Sequence, residues 1–329
     1  MKVCVFGAGA IGGHLAMRLA KGGAEVSVVA RGAQLAAIRA RGLTVRAYDG
    51  EHNLRVTAAE EPAELGPQDA VVVTTKSPAL PQVARAIVPL LGPETAVAFV
   101  MNGIPWWYPE GEGGVLEGRD MPELDPGGVL HDAVGIRRAI GGVVYSSCTV
   151  VEPGVVSVEG KINRLILGEP DGRATPRVEA LAALFRAGGL SEVTVTAEIR
   201  KEVWAKLMGN ISSGPLCILT RRNLRETYAD PAITQAAVRM TREAQAIAAG
   251  LGIVLDFDPV ERISRAAQSA HKPSILQDLE LGRPMEIETM LLAPLRLARM
   301  VGVETPTLDL AVALAKSAAE GAGLYTPGG

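Results

Sequence analysis

From Lys2 to Phe6 the chain is a short apolar run that stops at Gly7. Ile11, Leu15 and Leu19 then recur at helical spacing until Gly22-Gly23 ends the pattern near Lys21. Glu25 to Val29 resumes as a strand. Ala70 to Thr74 and Thr95 to Val100 predict further buried strands, with a helix over Leu80 to Leu91 between them. Alternating strand and helix predicts a parallel sheet. Between Pro105 and about Gly135 the periodicity fails, and Gly, Pro and charged residues surround Trp106-Trp107-Tyr108. So long a loop is either functional or disordered. This one is read as a lid or as an apolar contact to the helical domain or a partner subunit. Strands are expected again at Ala139 to Val151, Gly154 to Val158, Arg164 to Gly168 and Ser191 to Thr196, with a helix over Pro176 to Ala187.

Beyond about Ala197 the pattern is helical, through Met208 and over Ile233 to Ala249, Val260 to Ala270, Thr289 to Val301 and Leu308 to Ala319. The expected division is therefore a sheet domain over residues 1–197 and a helical domain over 198–329, with a frayed tail from Gly323. Composition agrees: of 329 residues 48% are hydrophobic but only 4% aromatic, so the core must come from aliphatic residues in regular elements. A net charge of -3 lacks the basic excess that nucleic acid or anionic lipid would require. Cys4, Cys148 and Cys217 are odd in number and far apart, which fits reduced thiols rather than a disulfide framework, and no Cys/His spacing suggests a metal. Neither a signal peptide nor a membrane-length apolar stretch is read, so a cytoplasmic location is expected.

The turn after the first strand reads Gly7-Ala8-Gly9-Ala10-Ile11-Gly12. It follows a strand, opens a helix and precedes a second strand, the context in which this glycine spacing marks a Rossmann-type dinucleotide site. Gly7 permits the turn, Gly9 lets the backbone approach a pyrophosphate, and Gly12 lets helix and strand pack closely. An NAD enzyme places Asp or Glu at the end of the second strand. Here Val28-Val29-Ala30-Arg31 ends in a cation suited to a 2′-phosphate, so NADP (as NADPH) is the expected cofactor. Thr75-Lys76-Ser77 and Asn102-Gly103 follow later strands at the ligand-binding edge of such a sheet, where Lys76 could reach a phosphate and Asn102 the nicotinamide side. Solvated or ordinary turn residues remain the alternative for Arg31, Lys76 and Asn102.

In the first helix of the second domain, Trp204-Ala-Lys206-Leu-Met-Gly-Asn210 sets Lys206 and Asn210 four apart on one face. A lone helical lysine is ordinarily a solvated charge. The segment Ser274-Ile-Leu-Gln277-Asp278, with Gly282-Arg283 and Glu286-Ile287, changes that reading. Taken with the glycine turn, Thr75-Lys76-Ser77, Asn102-Gly103 and Trp204-x-Lys206-x-x-x-Asn210, it resembles the ketopantoate reductase family, nearly end to end and in order. The resemblance implies an α/β Rossmann domain followed by an all-α domain like the C-terminal one of 6-phosphogluconate dehydrogenase. It also implies NADPH-dependent reduction of a small-molecule 2-keto acid, with 2-dehydropantoate, reduced to (R)-pantoate for pantothenate biosynthesis, as first candidate. Lys206 would be the general acid, Glu286 would hold it or the substrate hydroxyl, and Asn102, Asn210 and Ser274 would orient the keto acid.

The chain departs from the family pattern near the substrate. Gly214-Pro215 stands where many members carry Asn before Pro, Thr289-Met290-Leu291 replaces a common Asn-Gly, and the aromatic loop is an addition. Two alternatives follow, a bulkier keto acid or an NADP-binding sensor without turnover. Ser274 could also be a helix N-cap, and Glu286 a surface salt-bridge partner. Asn223 lies one residue out of register with another family asparagine. Asp278 and Glu280 read as solvated helix charges, and the four histidines, His271 beside Ser274 excepted, as satisfied or exposed. A homodimer is the expected assembly on symmetry grounds.

Overall fold

The computed structural model describes residues 1–111, 113–119 and 121–326, which form two compact units. The first comprises Met1–Met101, Trp107–Glu112 and Gly127–Ile199; the second comprises Asn102–Trp106, Gly113–Pro126 and Arg200–Gly329. The division is thus not a single cut, because two pieces of the long aromatic segment belong with the helices.

The first unit runs β1 (Lys2–Phe6), α1 (Ala10–Lys21), β2 (Glu25–Val29), α2 (Gly32–Arg41), β3 (Leu43–Ala47), β4 (Gly50–Leu54), β5 (Thr57–Ala59), β6 (Gln68–Val73), α3 (Leu80–Ile87), β7 (Leu91–Val100), α4 (Val129–Ala133), β8 (Ala139–Glu152), β9 (Val155–Gly168), α5 (Pro176–Ala187) and β10 (Glu192–Val195). Its sheet is ordered β4-β3-β9-β8-β7-β6-β1-β2-β5, with β10 paired to β9. From β1 the sheet runs outward through β2 to β5 on one side and, by a reversal, through β6, β7 and β8 on the other, all parallel, while β3 and β4 stand at the far edge against β9. That reversal leaves a crevice at the carboxyl ends of β1 and β6, the switch point where open α/β sheets bind ligands.

Several elements differ from the sequence expectation. Helix α2 went unread because only Leu35 and Ile38 of its ten residues are buried, too few to mark a stripe. Strands β3, β4 and β5 are short and held by pairing rather than by apolar content. The two strands expected over 154–168 are one, β9, whose exposed middle bulges out between the pairs Glu159 with Ser147 and Arg164 with Tyr145 of β8. In the aromatic loop Trp107 and Tyr108 are 1% and 0% exposed, and the Trp107 ring lies where a Cβ on Gly141 of β8 would stand 2.5 Å from it. Trp107 therefore packs on the sheet.

The second unit is helical: α6 (Ile199–Thr220), α7 (Leu224–Thr227), α8 (Pro231–Gly250), α9 (Pro259–Ala266), α10 (Ser274–Glu280), a π-helical turn (Glu288–Leu292), α11 (Ala293–Met300) and α12 (Pro306–Gly321). Asn223 is the N-cap of α7 in a capping box with Glu226, which accounts for it without a ligand. Asp278 is buried, not solvated, whereas Glu280 does pair with Lys272 at the surface. The expected frayed tail is anchored at its start, since the Leu324 carbonyl accepts the Met285 N–H at 3.0 Å; residues 327–329 lie outside the described residues. Among the described residues no helix is long and apolar enough to cross a membrane and no group of side chains could hold a metal.

A polar knot, buried at His14 and Arg18 and open to water at Lys21 and Asp49, fastens α1 to the β3–β4 hairpin. Asp49, in the hairpin turn, accepts from Arg18 Nη1 and Nη2 at 2.8 and 3.0 Å and from Lys21 Nζ at 2.8 Å. These donors hold its carboxyl well below the usual carboxylate range. Arg18 Nε donates to His14 Nε2 at 3.2 Å, so the imidazole proton sits on Nδ1 and faces Cys148 Sγ at 3.5 Å. Burial, helped by the Arg18 charge, lowers the His14 pKa from 6.5 to about 4. The unfolded chain then takes up a proton that the folded chain refuses, so stability is complete above about pH 6.5 and falls as pH drops towards 4. His14→Gln, which preserves both hydrogen bonds, is expected to remove on the order of 3 kcal/mol of that pH dependence, measured by urea unfolding across the window.

Candidate active site

The glycine turn is set by its neighbours. Gly7 has φ +104°, and Thr74 Oγ1 donates to its carbonyl at 2.7 Å from the end of β6. A Cβ on Gly12 would lie 2.0 Å from that carbonyl, so only glycine lets α1 start this close to β1. Gln34 of α2, which the sequence reading missed, clamps the turn from above: its Nε2 donates to the Ala8 carbonyl at 2.7 Å and its Oε1 accepts the Gly154 N–H at 2.9 Å.

These residues fit a dinucleotide. A Cβ on Gly9 would meet no protein atom within 4 Å, and α1 has no acidic residue in its first turn to compete with an anion for the helix N–H groups. Thr75 Oγ1, whose side chain borders Gly7, is enclosed yet has no hydrogen-bond partner among the described residues. Arg31 is exposed just past β2, its Nη1 on Gln82 Oε1 at 3.1 Å, and Lys76 is half-buried past β6. Gly9→Ala is expected to leave stability within about 1 kcal/mol of wild type while weakening dinucleotide binding about tenfold or more. Gly12→Ala should lose about 1–3 kcal/mol of stability through the forced backbone shift. Thermal unfolding and fluorescence titration separate the two effects.

The helical unit brings a different group together. Lys206, Asn210 and Gly214 recur four apart along one face of α6. Desolvation lowers the Lys206 pKa from 10.5 to about 8, and the Glu286 carboxylate opposes that shift. Glu286 itself is 4% exposed, not a surface salt-bridge partner, and its Oε2 accepts from Asn102 Nδ2 at 3.3 Å. Lysine amine, buried carboxylate and amide therefore form one cluster. Asn102 had been expected to serve cofactor and substrate alike; its side chain lies against Glu286.

The next two residues lock that contact. Gly103 has φ +77°, and a Cβ there would stand 2.5 Å from the Thr289 carbonyl, which also accepts the Ile104 N–H at 2.9 Å. Thr289 lies in the π turn, where the Ala293 N–H reaches back past Thr289 to the Glu288 carbonyl and leaves the Thr289 carbonyl to Ile104.

Ser274 is exposed and is the first helical residue of α10, with Pro273 as the N-cap, so it does not cap the helix. Among the described residues neither Ser274 nor Asn210 hydrogen-bonds to the Lys206 cluster. The departure at Gly214 has a packing reason, since a Cβ there would stand 3.2 Å from Ile275 Cγ2, the residue after Ser274. The missing side chain thus seats the start of α10 against α6, one turn beyond Asn210. His271, beside Ser274, is exposed and offers its backbone carbonyl to the Leu224 N–H.

Comparison with known proteins agrees with this anatomy. The family profile "Ketopantoate reductase PanE/ApbA" matches residues 3–106, and "Ketopantoate reductase PanE/ApbA C terminal" matches residues 198–319. The 2-dehydropantoate 2-reductase of Mesorhizobium japonicum is 44% identical over 330 residues, covering 99% of this chain and 100% of that protein. The chain belongs to the ketopantoate reductase family. A putative ketopantoate reductase from Ralstonia solanacearum superposes with a TM-score of 0.92 at 37% identity over 98% of this chain and 99% of that one. The 2-dehydropantoate 2-reductase of Geobacter metallireducens superposes with 0.83 at 28% identity, covering 97% and 100%. Ketopantoate reductases are oxidoreductases with a Rossmann-type domain and a helical domain, the architecture described above.

Proposed function

We propose that the chain reduces 2-dehydropantoate to (R)-pantoate with NADPH, as a cytoplasmic 2-keto acid reductase of pantothenate biosynthesis. The observation that carries this reading is the Lys206 ammonium, withdrawn from water beside the buried Glu286 carboxylate, which also accepts from the Asn102 amide. The 44% identity to a protein named for this reaction supports the substrate. Reduced thiols fit the compartment: all three cysteines are free, and burial pushes Cys4 and Cys148 up to about 12.

The dinucleotide, held by the turn Gly7 to Gly12 with Arg31 and Lys76, supplies the hydride when bound. As the ketone of a 2-keto acid is reduced, negative charge grows on its oxygen. The Lys206 ammonium stabilises that charge and gives up its Nζ proton, leaving a neutral amine and a 2-hydroxy acid. A pKa near 8 suits the step, because the group is still protonated at neutral pH yet acidic enough to release its proton. Glu286 keeps the lysine charged despite burial, and Asn102 fixes the orientation of Glu286. Asn210 and Ser274 offer an amide and a hydroxyl to the substrate carboxylate and hydroxyl. Arg31, with no acidic residue at the end of β2, favours NADPH over NADH.

Absorbance at the nicotinamide band tests the reading. Consumption of NADPH with 2-dehydropantoate is expected, and binding of NADPH without consumption across a panel of branched and aryl 2-keto acids would overturn it. Lys206→Ala should lower kcat by about 10²- to 10⁴-fold. In the wild type, kcat should fall as pH rises through about 8, where the ammonium is lost. Arg31→Ala should weaken NADPH about ten- to a hundredfold and NADH far less, measured by titration.

A further inference from the structure

Glu286 lies in a short non-helical connection, yet its carboxylate is buried and aimed at an amide. What holds this connection on its outer side is the end of the chain. The Met285 N–H donates to the Leu324 carbonyl at 3.0 Å, and the next residue, Tyr325, donates its hydroxyl to Glu288 Oε2 at 2.5 Å. Two successive tail residues thus grip positions 285 and 288, which bracket Glu286. The other Glu288 oxygen accepts from Arg296 Nη1 at 2.5 Å, and Arg296 also meets Glu123 at 3.3 Å. The grip is itself anchored, since Gly323 and Leu324 donate their N–H groups to the Glu320 and Ala319 carbonyls of α12 at 2.9 and 3.0 Å. On the inner side, Ile104 and Gly103 hold Thr289.

We propose that Tyr325 is a positioning residue for Glu286: with the Leu324 carbonyl it ties the turn from Met285 to Glu288 to the end of α12 and so keeps the Glu286 carboxylate against Asn102. Tyr325 touches no reacting atom; it acts through Glu288 and the backbone. Burial and the Glu288 charge raise its own hydroxyl above the ordinary tyrosine range, so it remains a donor at every working pH. The kinetic consequence rests on the reductase reading, whereas the positioning itself does not.

Full-length Tyr325→Phe keeps the ring and removes the donor. With the tie lost, kcat should fall about tenfold while KM for NADPH changes little, because a displaced carboxylate affects the chemical step and not the dinucleotide turn. A readout independent of turnover is the pH dependence of Lys206 acetylation by acetic anhydride, followed by mass spectrometry of the peptide carrying it. Glu286 is the charge that raises the Lys206 pKa; Arg262 lies nearby, its Nη2 on the Ala205 carbonyl at 3.2 Å. A loosened Glu286 should lower the labelling midpoint by about half a pH unit or more. Glu288→Gln weakens the same tie without altering the tail and should shift both readouts the same way, which keeps the test decisive if the tyrosine variant does not fold. Wild-type kcat and midpoint in the folded variants, even with a lowered Tm, would overturn the proposal. A shifted midpoint in a protein whose wild type reduces no 2-keto acid would sink the reductase reading and leave the positioning role standing.

Discussion

The desolvation of the Lys206 ammonium is the constraint on which the chemistry of the helical unit depends. Taking an ammonium out of water disfavours its charge, and here that penalty is partly offset by a carboxylate that is itself buried. The pair in turn demands that Glu286 be held in place, because a buried carboxylate free to rotate would be neither satisfied nor useful. The surrounding structure meets that demand through the Asn102 amide, the Gly103 to Thr289 contact and the tail grip at Met285 and Glu288.

Backbone proximity does the same work in the sheet unit. Gly12 brings the start of α1 against Gly7, Thr74 fixes the Gly7 carbonyl and Gln34 fixes that of Ala8. The result is a stretch of backbone rigid enough to present N–H groups in one direction without any side chain in the way. At the far end of α1, the Arg18 to Asp49 ion pair and His14 fasten the helix to the β3–β4 hairpin. The helix that would face the pyrophosphate is thereby anchored at both ends.

Of the departures from the family pattern, Gly214 sits in a tight contact. Gly214 removes an amide and admits Ile275, so α10 starts against the face of α6 that carries Lys206 and Asn210. In the segment Thr289-Met290-Leu291 the Thr289 backbone carbonyl accepts the Ile104 N–H, a contact any residue there would offer, so the replaced Asn-Gly has no structural explanation. The tryptophan segment is structural at Trp107, whose ring fills the space above Gly141.

Much of this was legible in the order of residues. The glycine spacing after an apolar run, the lysine and asparagine four apart on a helix, and the switch from strand to helix periodicity near Ala197 are local patterns, and local patterns follow from backbone sterics and side-chain period. The family resemblance rested on such patterns too. What the chain alone left open depends on residues far apart in sequence. Nothing local shows that Asn102 meets Glu286, that Gln34 reaches Ala8, or that a tail reading as frayed would grip the turn that carries Glu286. Nor could Asp278 and Glu280, two charges in one helix, be told apart as buried and solvated. Burial, and with it the lowered pKa values of Lys206 and His14, is set by which distant segments exclude water, and only the tertiary structure decides that.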